Sequence, residues 1–85
     1  MAAKIKFTST ATPAELRGLE RVIMAMLGFS ERNEGLVRVE SSEMLHDYTL
    51  VLNFPLTKQA EKSIYLVMLS HEFKVRWSEL RAEYR

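Results

Sequence analysis

The chain has no cysteine, and only three glycines and two prolines among its 85 residues. Without cysteine there is no disulfide staple, no thiolate zinc site and no cysteine nucleophile, and the composition fits a reducing compartment. The glycines, Gly18, Gly28 and Gly35, stand too far apart to form a phosphate-cradling loop. No apolar run approaches 18 residues, so no segment is expected to span a membrane, and the opening MAAKIKFTST lacks the apolar stretch of a secretion signal. An excess of one charge is missing too. Twelve Lys and Arg face eleven Asp and Glu, for a net charge of +1, whereas proteins that grip nucleic acid by its phosphates carry a basic surplus or a basic face. The expectation is a cytoplasmic protein with no direct nucleic-acid contact.

What the chain does contain is apolar residues, 47% of the total. That is ample for a packed core and too much for a disordered chain. Its length corresponds to a single domain, residues 1–85. A domain of this size buries only about 60% of the surface its unfolded form exposes. Small chains without staples often gain stability by oligomerising, so a homo-oligomer is expected.

Lys4–Thr8 (KIKFT) alternates polar and apolar residues, with Ile5 and Phe7 on one face, as in a short strand. Thr12 then stands where an N-cap belongs, Pro13 at the first helical position and Glu15 at the third, which is a capping box. The helix runs to about Leu27, with Leu16, Leu19, Ile23, Met26 and Leu27 as its core stripe, and stops at Gly28. Gly18 weakens it by about 1 kcal/mol relative to alanine and is read as the mark of a close helix contact. Phe29–Gly35 is a polar loop. Leu36–Glu40 alternates again, Ser41–Asp47 is a turn, and Tyr48, Leu50, Leu52 and Phe54 alternate with Thr49, Val51 and Asn53 until Pro55 ends the strand. Thr57 caps a further helix that meets no forced stop before Arg85, unless Ser70 caps a separate final helix. The expected fold class is α+β in the order β-α-β-β-α: a small antiparallel sheet packed against one N-terminal helix and a long or split C-terminal helix.

Candidate chemistry is sparse. His46 lies beside Asp47 and three residues after Glu43, but a metal site needs three or more converging ligands, and these residues fall in a turn. His71 reads as a packing histidine. Glu40, Ser41, Ser42 and Glu43 match no nucleophile motif. No catalytic, metal or cofactor residue is assigned, and no enzyme is expected. Met24, Met26, Met44 and Met68 read as core packing.

The last segment holds two apolar stripes at helical spacing. One is Ala60, Ile64, Val67, Met68, His71 and Val75. The other is Leu66, Leu69, Phe73, Trp77, Leu80 and Tyr84, rimmed by Lys74, Arg76, Arg81 and Arg85. Either stripe could cover the sheet. Two stripes and one small sheet leave apolar surface over, and interfaces are enriched in Trp, Tyr, Phe and Arg. Leu66, Leu69, Phe73, Trp77, Leu80, Arg81 and Tyr84 are therefore the expected partner-binding residues. A second reading uses the final helix pair as a helix-turn-helix of a small DNA-binding regulator.

Phe54–Leu80 (FPLTKQAEKSIYLVMLSHEFKVRWSEL) resembles a segment of phage antirepressor and Rha-like regulatory proteins. Leu56, Thr57 and Lys58 match the start of its apolar helix; Ser70, Glu72, Phe73, Lys74 and Trp77 are similar to its second helix. Met68 and Leu69 stand where that family often has a Gly–aromatic break. The resemblance implies a non-enzymatic antirepressor that binds a phage repressor, removes it from its operator and so promotes the switch from lysogeny to lytic growth.

Overall fold

Six elements follow one another: β1 (Ala3–Ser9), α1 (Pro13–Met26), β2 (Val37–Ser41), β3 (Asp47–Leu52), α2 (Lys58–Met68) and β4 (Val75–Tyr84). The computed structural model describes residues 3–30, 35–70 and 73–84, with side chains as far as residue 75. The fold is α+β, and the order β-α-β-β-α holds as far as Met68.

Local chemistry accounts for both helices. Thr12 caps α1: its hydroxyl accepts from the Glu15 N–H at 3.2 Å, and the Glu15 carboxylate accepts from the Thr12 N–H at 3.0 Å. This reciprocal pair satisfies two of the donors that a helix start leaves orphaned. At the other end Gly28 takes φ +79°. The Phe29 N–H reaches Met24 O at 2.9 Å and the Gly28 N–H reaches Ala25 O at 3.1 Å, closing the last turn as a Schellman motif. The α2 cap is Thr57, whose hydroxyl accepts from the Ala60 N–H at 3.1 Å.

The sheet order is β2-β3-β1-β4, antiparallel throughout. β1 and β2 both run against β3, so they are parallel to each other with β3 between them. β3 and β4 flank β1 in the same way. Two β-α-β units are thus interleaved. Ala3, Ile5 and Phe7 alternate with Lys4, Lys6 and Thr8 along β1, and only the first set enters the core. That face packs against Leu16, Leu19 and Ile23 of α1, Ile64 and Met68 of α2, Leu50 and Leu52 of β3, Val37 of β2, and Phe73. The helices therefore lie together on one side of the sheet.

The C-terminal segment departs from expectation. The helix stops at Met68 with Leu69 as its cap, and residues 75–84 form a strand beside β1. The Phe73 N–H bonds Ser70 O at 3.2 Å, and Lys74, at φ +51°, takes the left-handed turn that redirects the chain. The reason is tertiary. Without β4, β1 would be a sheet edge with a row of unpaired N–H and C=O groups. Val75, Trp77 and Tyr84 are also of types that favour strands. There is thus no final helix pair, and the helix-turn-helix reading has no structural basis. Smaller corrections follow the same logic. β3 ends at Leu52 rather than Phe54, whose ring instead meets that of Phe29 edge-on at 5.1 Å. Met26 and Met44 are exposed, not core.

Candidate functional site

The expected partner-binding stripe does not exist as one surface, because helical spacing holds only as far as Met68. Leu66 lies on the outer side of α2 and is 73% exposed. Leu69 is the half-buried C-cap. Phe73 is 5% exposed and belongs to the core, its ring edge 3.8 Å from where a Cβ on Gly18 would stand. The close contact at Gly18 is therefore with the turn before β4 and not, as expected, with another helix. Trp77, Leu80, Arg81 and Tyr84 lie along β4, and their side chains are outside the described residues, as is His71. The aliphatic stripe covers the sheet, through Ile64 and Met68 with Val67 alongside.

Two large apolar side chains, one of them (Met44) expected in the core, are held in water. Met44 is 69% and Leu45 84% exposed, both in the turn between β2 and β3. The turn is well tied. The Ser42 N–H bonds Asp47 O at 2.9 Å, the Asp47 N–H bonds Met44 O at 3.2 Å, and the Ser9 N–H reaches across from β1 to His46 O at 2.9 Å. His46 takes φ +70° there. Glu43 and His46 are both exposed. Among the described residues no three His, Cys, Asp or Glu side chains converge as a metal site would require.

A cleft of about 260 Å³ opens beside this hairpin, between α1 and the β2 edge. Pro13, Leu16, Arg17 and Glu20 line it from the helix, and Val39, Ser41 and Tyr48 from the sheet. The Tyr48 ring stacks on Phe7, with centroids 5.8 Å apart. The Glu20 carboxylate is already engaged: it accepts the Val39 N–H at 2.7 Å. That contact ties α1 to the β2 edge across the cleft, with Arg17 beside it in the lining.

The face of the sheet away from the helices, the open face, carries Lys4, Lys6 and Thr8 from β1, Thr49 and Val51 from β3, and Arg38 and Glu40 from β2, with Val51 buried among its neighbours. Arg38 and Glu40 form an ion pair at 3.3 Å. The charges are of mixed sign. The described side chains of this face include no aromatic ring, the group on which sheet-based RNA-binding modules stack bases. Among the described residues no helix is long and apolar enough to cross a membrane. No protein-family model, no characterised protein and no solved structure matches the chain.

Proposed function

We propose that this chain is a protein-binding module that works without a catalytic step, and that its partner is a phage repressor which it draws away from its operator. The observation that carries the binding role is the pair Met44–Leu45, adjacent large apolar side chains held in solvent on a hydrogen-bonded hairpin. Burying a side chain of this size contributes roughly 1.5–3 kcal/mol, so a tied-down hairpin that leaves two of them in water is suited to burying them against another surface. Leu66 is the one member of the expected stripe whose described side chain remains free for contact. The repressor as partner comes only from the resemblance of Phe54–Leu80: its apolar helix corresponds to Lys58–Met68, whereas Phe73, Lys74 and Trp77, which resemble the family's second helix, lie in the turn before β4 and in β4 itself.

The mechanism needs only linkage. A protein that binds the DNA-free form of a repressor more tightly than the operator-bound form shifts the population by that difference in affinity. The test is a tagged pull-down from a lysogenic host, with the native chain and M44S/L45S compared. The repressor should elute in stoichiometric amount with the native chain and be lost with the variant, while circular dichroism stays unchanged. Recovery of the chain alone, or of nucleic acid that survives high-salt washing, overturns the proposal.

A further inference from the structure

β2 is an edge strand, and its hydrogen-bonding groups fall into two sets. Asn53 N–H bonds Leu36 O at 2.8 Å and Ser42 N–H bonds Asp47 O at 2.9 Å, so the even-numbered residues, Arg38 and Glu40 included, turn their backbone groups toward β3. Val37, Val39 and Ser41 turn theirs outward, away from the sheet. Such a row is a template for another strand unless something blunts it. Here the central donor, the Val39 N–H, is taken by the Glu20 carboxylate reaching over from α1 at 2.7 Å.

We propose that the β2 edge is a pairing site for a second copy of this chain, held shut in the single chain by Glu20. The argument for a second copy is self-complementarity. Antiparallel pairing of β2 with its own copy, centred on Val39, places Val39 opposite Val39 and Val37 opposite Ser41. The outward groups then make three hydrogen-bonded pairs. Arg38 falls opposite Glu40 of the second copy, and Glu40 opposite its Arg38. These two pairs are of the closely spaced kind on the open face, where opposite charges stabilise pairing. The contact is isologous, so it closes as a two-fold dimer. Each Val39 C=O replaces a Glu20 carboxylate as acceptor, and the Arg38–Glu40 ion pair within each chain (3.3 Å) is exchanged for two between chains. The cleft beside Val39, lined by Glu20 and Arg17, is where the released carboxylate goes. This site is separate from the Met44–Leu45 contact proposed above, and neither depends on the other.

The test is sedimentation equilibrium of the full chain. E20A removes the acceptor that competes for Val39, and because each dimer breaks two such charged hydrogen bonds, the dimer dissociation constant should fall on the order of a hundredfold. E20Q keeps an acceptor oxygen but not its charge, and should fall between the native chain and E20A. Adding R38E to E20A sets carboxylates against each other across the junction and should undo the gain; adding E40R as well should restore it. An E20A chain that associates no more tightly than the native one overturns the proposal, as does a dimer indifferent to R38E. If E20A fails to fold, amide exchange of the native chain decides. The Val37 and Ser41 amides must slow as concentration rises while Val39 is protected throughout, and their remaining fast at every concentration also overturns it.

Discussion

Ser9 is 1% exposed, and its hydroxyl is used twice. It donates to Phe73 O at 2.7 Å and accepts from the Ala11 N–H at 2.9 Å, so it joins the end of β1 to the turn before β4. Ser9→Ala leaves a buried donor and a buried acceptor short of partners, and should cost roughly 1–3 kcal/mol in urea denaturation. A loss within experimental error would mean that water replaces the hydroxyl. At Glu15 the effect is one of charge. The Thr12 backbone N–H is the largest of the causes that hold its carboxyl below the usual carboxylate range; burial, next in size, opposes it, and the Thr12 hydroxyl and Lys74 at 3.5 Å add to the lowering. Because the folded value lies below the unfolded one, the carboxylate stabilises fully above the ordinary glutamate range, and that stability is lost as pH falls through the lowered value. The gap in denaturation midpoint between the native chain and Glu15→Gln should therefore close on acidification; a gap constant with pH would place the contribution elsewhere. The capping box that creates the effect is legible in Thr12-Pro-Ala-Glu15. Ser9 is not, because a serine at the end of an alternating run looks the same whether it is buried or solvated.

At the level of the element, α2 and β4 divide what looked like one helix. Phe73, Trp77, Leu80 and Tyr84 step by four, three and four, which is a helical spacing. The same residues fit two alternating runs. Val75 and Trp77 alternate with Arg76; Leu80, Ala82 and Tyr84 alternate with Arg81 and Glu83. The two runs are one residue out of phase across Ser78–Glu79. The pairing with β1 shows the matching irregularity: Thr8 stands opposite Arg76 but Lys6 opposite Arg81, so extra residues of β4 are accommodated between them. A strand with a phase slip imitates a helix over this length. The division has a measurable consequence. Phe73→Ala empties part of the core and should cost about 3–5 kcal/mol, whereas Leu66→Ala, on the solvent side of α2, should change stability by less than about 0.5 kcal/mol. Equal losses in thermal or urea unfolding would restore a continuous apolar stripe.

Across the whole molecule, the sheet is assembled from pairings far apart in sequence. β1 opens the described chain, yet it is one of the two inner strands, with β3 on one side and β4 on the other. One hydrophobic cluster takes buried residues from both helices and from β1, β2 and β3, with Val75 of β4 packed against it. The two sheet edges differ in kind: one is β2 with Glu20 over its central amide, and the other is β4. What the sequence determined by itself is local: the strand at Lys4–Thr8, the Thr12 and Thr57 caps, the Gly28 stop, the alternation of β3, and an α+β class. Each follows from contacts within a few residues, or from a periodicity that leaves no second solution. What only the tertiary structure decided is everything that depends on a partner distant in the chain. Residues 75–84 are a strand because β1 has an unpaired edge beside them, and Met44 and Leu45 are exposed because their turn projects beyond the sheet. Glu20 is a guard and not merely a solvated helix residue because the fold brings β2 beneath it. Local pattern is indifferent to such choices, since the backbone hydrogen bonds and buried area that settle them come into being only when the sheet is assembled.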